Sequence, residues 1–349
     1  MLRYFGTSLF ITIAAIIVAF VALGPGAALT TLILIAIEIA FSFDNAIINA
    51  KILAHLSKVW QQLFLTIGMV VAIVGMRFVF PILIVMITAH LGWSEVINDA
   101  LHHPKVYGEH LEQAHAAISA FGGAFLLTLT MYFLLDDARD VLWLHRIERP
   151  LQRIGGSFWL PPVFVGAVVC LMALFAGSDS GTVFHAGLLG VAGYAGIKLF
   201  IDGIGKVSGQ AEVAEEHGTS KKPALYAGWA AFLAFMYLQV LDASFSFDGV
   251  LGAFAITDKI LLIALGLGVG ALWVRSLTVF MVRKGTLDEY KYLEHGAHYA
   301  ILVLAAALLT SIFYEIPDAV TGISGLGVIG ASYYASVQAI KLRHAHQKP

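Results

Sequence analysis

Two short acidic segments stand out in an otherwise apolar sequence. Residues 38–45 read Glu-Ile-Ala-Phe-Ser-Phe-Asp-Asn, and residues 242–249 read Asp-Ala-Ser-Phe-Ser-Phe-Asp-Gly. Both contain Phe-Ser-Phe-Asp, with another acid six residues before the aspartate. An ionised side chain inside a bilayer costs about 2.5 to over 10 kcal/mol, so it persists only when it is paired, hydrated or functional. Carboxylate, hydroxyl and amide oxygens suit hard divalent ions such as Mn²⁺, Mg²⁺ or Ca²⁺ better than Cu⁺ or Zn²⁺.

The two segments together predict one cation site near the middle of the bilayer. Its candidate ligands are Glu38, Ser42, Asp44 and Asn45 from the first segment and Asp242, Ser246 and Asp248 from the second. Acids six residues apart lie on different faces of a regular helix, whereas Ser42 and Asn45 share the face of Glu38. The two acids of a segment therefore converge only if the helix unwinds. A break at Phe-Ser-Phe-Asp would also free backbone carbonyl groups for an ion.

One arginine follows each acidic segment on the next apolar stretch, Arg77 after the first and Arg275 after the second. Four carboxylates with two arginines leave a local charge of −2, which one divalent cation would neutralise. The arginines could gate the site or pair with the carboxylates when it is empty. The alternative for the acidic segments themselves is that they join helices through buried ion pairs.

Membrane-spanning helices must position these residues. The chain has 349 residues, of which 59% are hydrophobic and 13% charged, and its mean hydropathy is +0.84. Crossing the bilayer takes about 20 apolar residues. The single cysteine, Cys170, excludes an intrachain disulfide or a cysteine-rich metal site. We predict an all-α polytopic membrane protein with ten spans at 5–23, 28–50, 62–89, 116–135, 159–177, 183–202, 224–248, 260–282, 297–314 and 320–340.

The distribution of basic residues predicts the orientation of these spans. If the N-terminus is cytoplasmic, sixteen Lys and Arg residues fall in cytoplasmic segments and only Lys105 and Lys259 fall in outer loops. Cytoplasmic loops carry such an excess, and a missed span would invert every later loop. We therefore expect both termini in the cytoplasm. The outer segment 90–115, rich in His and acidic residues, fits a solvated polar loop without a ligand better than a loop that gathers cations at the entrance or exit, and its role stays open.

The acidic segments belong to an internal repeat. The first lies on span two and the second on span seven, so the two copies cross the membrane in opposite directions. We predict one membrane domain built from a first repeat at 1–158 and a second repeat at 159–349. Inverted repeats of this kind recur in secondary transporters, in which the substrate site lies where the repeats meet.

The two motifs resemble those of the TerC/Alx family of bacterial integral membrane proteins. The chain as a whole is more similar to the branch of that family long described as of unknown function. Known members are associated with manganese export and tellurite resistance. The resemblance implies efflux of Mn²⁺ across the inner membrane, with Glu38, Asp44, Asn45, Asp242 and Asp248 at the matching positions. Gly249 stands where the first copy has Asn45, so the half-sites contribute unequal ligands.

These observations lead to a secondary transporter that exports Mn²⁺, coupled to protons or another ion. We expect no enzyme activity, no permanently bound cofactor and no nucleic-acid partner. The sequence has no Gly-x-x-x-x-Gly-Lys-Ser/Thr motif for ATP and no His-Glu-x-x-His motif for a metallopeptidase. The alternatives are a transporter of another divalent cation or small solute, or a membrane scaffold in the response to metal or tellurite stress. The coupling ion, the direction of transport and the oligomeric state stay open.

Overall fold

The computed structural model describes residues 2–68, 91–207, 259–285, 289–314 and 316–346, with shorter pieces of 70–86 and 228–257. These residues form helices, with no β-strand among them. In chain order the helices are α1 (Leu2–Leu23), α2 (Pro25–Phe41), α3 (Phe43–Ala54), α4 (Lys58–Leu63), α5 (Trp93–His102), α6 (Pro104–Gln113), α7 (His115–Leu134), α8 (His145–Ile154), α9 (Leu160–Phe175), α10 (Ser180–Val207), α11 (Ile260–Lys284), α12 (Leu293–Ser311) and α13 (Asp318–His346).

The described helices confirm a polytopic membrane protein. Six of them are long and apolar enough to cross a membrane, or seven if the bent pair α2 and α3 counts as one span. The helix α9 is apolar but shorter. Eight of the ten predicted spans coincide with described helices, within a few residues at each end. The other two, 62–89 and 224–248, fall largely outside the described residues.

Glycine contacts fix the relative directions of α2, α3 and α11. A Cβ added at Gly266 would meet Leu34, and one added at Gly270 would meet Glu38, so α11 runs parallel to α2 at close range. The same direction continues along α3, where Thr278 Oγ1 lies 3.5 Å from the carbonyl oxygen of Ala46. Helix α1 runs antiparallel to α11, with Ser8 Oγ 2.7 Å from Ser276 Oγ.

A second group of helices surrounds α7. The ring of Phe125 packs edge-on against Tyr194 of α10, and Gly190 of α10 lies against the backbone of Phe121, so α7 and α10 are parallel. Helix α12 is antiparallel to α7, because Gly123 lies against Leu309 and Phe133 stacks on His298. Helices α9 and α13 complete this group by packing on α10 and α12.

One end of the bundle collects basic residues. Lys51, in the last turn of α3, pairs with Glu294 in the first turn of α12, next to the end of α7. Helix α11 ends in Arg283 and Lys284 at the same level, because it runs parallel to α3. We call this side, where α3, α7 and α11 end, the basic face.

The segment 90–115 differs from its prediction as a polar loop. It folds into the two short helices α5 and α6. Val96 and Ala100 of α5 and Tyr107 and Leu111 of α6 bury a shared apolar cluster with Val85. These side chains are four residues apart in each helix, a spacing that places them on one face. The few apolar residues of this segment stand among many polar ones, so the sequence pattern did not indicate a buried helix face.

Candidate cation site and a buried ion-pair cluster

The helix that carries the first acidic motif is broken at the predicted position. Helix α2 ends at Phe41 and α3 begins at Phe43, with Ser42 between them at φ −100° and ψ 15°. The two helices are bent by 54° relative to each other. The break within Phe-Ser-Phe-Asp that convergence of the two acids would need is therefore present in the first motif.

Glu38 is buried one turn before this break, with only 2% of its surface exposed. The hydroxyl of Ser42 donates a hydrogen bond of 3.0 Å to Glu38 Oε1. On the other side, a Cβ added at Gly270 would lie 2.5 Å from both Cβ and Cγ of Glu38. Only glycine allows α11 to approach the stem of this side chain so closely. The break and the glycine therefore hold Glu38 between two helices.

The structure describes the side chains of only some of the other predicted ligands. Asn45, three residues after Ser42, is buried in the first turn of α3. The side chain of Asp44 and the residues Asp242, Ser246 and Asp248 lie outside the described residues. Within the part of the chain that the structure describes, no group of three or more His, Cys, Asp or Glu side chains could hold a metal ion. The complete ligand set thus stays a prediction.

Of the two arginines predicted to gate the site or pair with its acids, the structure describes Arg275 but not Arg77. Arg275 is half-buried on α11, five residues after the glycine that contacts Glu38. Its Nε atom is buried and has no hydrogen-bond partner among the described residues. Arg77 lies outside the described residues. A role in gating or charge pairing stays a prediction for both.

A glycine stands nine residues before each arginine, and both glycines make matching contacts. Gly266 lies against Leu34, four residues before Glu38. Gly68 lies against Gln239, three residues before Asp242, where an added Cβ would be 3.0 Å from Gln239 Nε2. Each glycine thus touches a segment that leads into one of the acidic motifs, about one turn before the first acid of that motif.

A second cluster of charged groups, at the basic face, was missed by the sequence analysis. It centres on Glu148 of α8, which is completely buried. Glu148 Oε1 accepts hydrogen bonds from the backbone N–H of Leu144 at 2.9 Å and from the hydroxyl of Tyr299 at 3.2 Å. Glu148 Oε2 lies 3.6 Å from Arg139 Nη1 and 3.4 Å from His295 Nε2.

These contacts fix the charge on Glu148. Burial alone raises the pKa of this carboxyl, but His295, the Leu144 N–H and the charge of Arg139 together lower the pKa to about 2. For Arg139, burial is the larger effect and lowers the pKa of the guanidinium. That guanidinium also lies over the Phe133 ring, 4.0 Å from its centroid. Glu148 therefore stays ionised at neutral pH.

The cluster joins parts of the chain that are far apart in sequence. Glu148 and Arg139 belong to the connection after α7, whereas His295 and Tyr299 lie on α12. No local pattern indicated this meeting, because Glu148 stands among four arginines in a stretch that fits an exposed loop equally well. A His-x-x-His pair, His295 and His298, at the start of an apolar span was the only available sign.

Comparison with known proteins gives the family. A family model described as "Protein of unknown function (DUF475)" matches residues 43–343, most of the chain. The chain belongs to the DUF475 family. The matched region of this DUF475 protein begins inside the first acidic motif and contains the whole second motif. The similarity to the TerC/Alx family stays a resemblance of motifs.

A membrane protein of Bacillus subtilis (strain 168), "Uncharacterized membrane protein YceF", is similar to part of the DUF475 chain. The two are 32% identical over 94 residues, which cover 26% of this chain and 34% of the relative. The chain thus matches about a third of that relative's length. No solved structure gives a match.

Proposed function

We propose that this protein is a secondary transporter that exports a hard divalent cation, Mn²⁺ in the first place, across the bacterial inner membrane in exchange for protons. The observation that carries the proposal is the buried Glu38 at the broken helix α2–α3. A carboxylate at such depth is costly unless it is neutralised by a cation, a proton or a partner. Broken helices with a buried acid form ion sites in transporters.

The matching glycine contacts support an inverted repeat. Gly266 and Gly68 stand at the same distance before Arg275 and Arg77, and each touches the motif-bearing segment of the other repeat. An inverted duplication would produce this relation, because each motif helix then packs against the arginine-bearing helix of the other half. The second acidic motif would accordingly meet the first near the middle of the membrane.

Helix directions support ten spans with both termini on one side. Helices α3, α7, α10 and α11 all end at the basic face, which fits the proposal of one crossing between α3 and α7 and another between α10 and α11. One crossing in each interval, added to α2–α3 as one span and to α1, α7, α9, α10, α11, α12 and α13, gives ten. The excess of Lys and Arg at the basic face makes it the cytoplasmic side in this proposal.

The transported ion would be bound by oxygen ligands from both repeats. In this proposal Glu38, Asp44, Asp242 and Asp248 alternately bind Mn²⁺ and protons, and Ser42, Asn45 and Ser246 add neutral oxygens. Arg77 and Arg275 would compensate part of the negative charge after the cation has left. Two repeats that rock about this site would expose it first to one side of the membrane and then to the other.

Transport by purified protein tests this proposal. We expect proteoliposomes with wild-type protein to take up Mn²⁺ while a pH dye reports protons moving the other way. Glu38→Gln should reduce uptake at least tenfold, because the substitution removes the charge and keeps the size. Glu109→Gln, at an exposed acid of α6, should transport like wild type. Wild-type protein that moves no divalent cation, or a fully active Glu38→Gln variant, would favour a scaffold instead.

A further inference from the structure

Two buried amide side chains lie between the acidic motif and the basic face. Asn49 is 3% exposed and Gln239 is 4% exposed. Asn49 Oδ1 and both amide atoms of Gln239, Oε1 and Nε2, are buried without a hydrogen-bond partner among the described residues. A buried polar group left without a partner destabilises a fold, so each such group in a native protein calls for an explanation.

Asn49 continues the polar side of the first motif. It follows Asn45 by four residues on α3, so both amides lie on the same face of that helix. Together with Glu38 and Ser42 they form a line of buried polar residues at spacings of four, three and four. This line runs from the acidic site towards the basic face. An α-helix that only packed against apolar neighbours would need no such line.

Gln239 comes from the other predicted repeat and stands next to a residue that packs against the end of α3. It directly follows Leu238, whose side chain belongs to an apolar cluster that also includes the end of α3. The cluster consists of Leu53, Leu56, Phe64, Ala231, Ala234, Phe235 and Leu238, and we call it the apolar plug. Asn49 stands one turn before Leu53, so both amides lie at the side of the plug that faces the acidic motif.

We infer that Asn49 and Gln239 form an uncharged cation-binding step between Glu38 and the apolar plug. This inference rests on the proposed transport function and adds two ligands to its pathway. Amide oxygens bind hard divalent cations in place of water. Since they carry no net charge, they hold the ion less tightly than the carboxylates do. Permeation requires such sites, which an ion can enter and leave again.

The apolar plug explains why an ion would need the two amides on the side of the acidic site that faces the basic face. The seven side chains of the plug are all apolar, so none of them can replace the water of an ion. A cation arriving from the cytoplasm would lose its water at the plug and need replacement oxygens before it reaches Glu38. Gly68 supports the position of Gln239, because an added Cβ would be only 3.0 Å from its Nε2 atom.

Leucine substitutions test the inference, since leucine fills a similar volume without oxygen. We expect Asn49→Leu and Gln239→Leu to lower the maximal rate of Mn²⁺ uptake into proteoliposomes at least tenfold. The half-saturating Mn²⁺ concentration should change by less than about threefold, because the acidic site is intact. The Tm of either variant should stay equal or rise by a few degrees, because an unpaired buried amide has been removed.

Exposed amides supply the controls. Gln62→Leu and Asn98→Leu, at exposed positions, should leave the maximal rate unchanged. Wild-type rates in Asn49→Leu and Gln239→Leu, measured with an active wild-type protein, would overturn the inference and leave the proposed function standing. A lower Tm together with lost uptake would assign the amides a structural role and also overturn it. Wild-type protein that carries no Mn²⁺ would remove the proposed function and this step with it.

Discussion

At the scale of single residues, the candidate site depends on the contact between an acid and a glycine. Glu38 is buried, receives a hydrogen bond from Ser42 and lies against Gly270 of α11. The hydroxyl of Ser42 is neutral, so its hydrogen bond to Glu38 brings no charge into the site. Because Gly270 has no side chain, α11 can lie against Cβ and Cγ of Glu38, and the packing of the two helices therefore holds the stem of this side chain.

A methyl group at Gly270 should disturb the site. In Gly270→Ala the new Cβ would lie 2.5 Å from Glu38, too close for any real contact, so α11 or the glutamate must shift. We expect destabilisation by about 1–3 kcal/mol, as for other overpacked sites, and at least a tenfold loss of Mn²⁺ uptake. Gly327→Ala is the matched control, because nothing lies within 4 Å of its Cβ position in α13. Equal Tm and uptake in the two variants would show that this contact is unimportant.

The residue scale also shows what the sequence could and could not predict. The hydrogen bond between Glu38 and Ser42 and the helix break beside it follow from the spacing of residues within a single motif. The contact of Glu38 with Gly270 joins residues on two helices far apart in the chain. No local pattern identifies which of the 34 glycines meets the acid. Glu148 was missed for the same reason, because its partners lie on α12.

At the scale of elements, α8 is held to α12 at the basic face. Buried Glu148 joins the connection after α7 to the first turns of α12 through Arg139, His295 and Tyr299. Nearby, Lys51 pairs with Glu294, but that pair is partly exposed and so contributes at most about 1 kcal/mol. The buried cluster should therefore dominate the stability of this end of the bundle.

The cluster should make stability depend on pH in a defined interval. The pKa of Glu148 is about 2 in the folded protein, against an ordinary value of 4.5. Its ionised form therefore stabilises the fold above about pH 4.5, and this stabilisation, on the order of 3 kcal/mol, is lost as the pH falls towards 2. Thermal unfolding of wild type should show a steep fall of Tm in this interval.

Glu148→Gln separates this effect from general acid denaturation. The variant should have a lower Tm at neutral pH, because Arg139 loses its buried partner, and a flatter dependence between about pH 4.5 and 2. Glu109→Gln, at an exposed acid, should reproduce the wild-type profile. If Glu148→Gln follows the wild-type profile in parallel, the buried carboxylate does not control stability.

At the scale of the whole molecule, two groups of helices meet. One contains α1, α2, α3 and α11, the other contains α7, α9, α10, α12 and α13, and α3 packs on α12 between them. Hydrophobic runs were enough to predict the described spans, because each must be apolar over the thickness of a bilayer. They could not predict the helix pair α5–α6, whose apolar residues are few, nor the grouping of the spans, which depends on side chains that meet only after folding.

A calorimetric titration of purified wild-type protein with Mn²⁺ would measure whether Glu38 belongs to a cation site. We expect saturable binding of one Mn²⁺ per chain with release of protons, since the acids alternate between metal and protons in the proposed function. Glu38→Gln should weaken this binding at least tenfold, while Glu109→Gln should bind like wild type. Unchanged Mn²⁺ affinity in Glu38→Gln, or no saturable binding by the wild-type protein, would contradict the account.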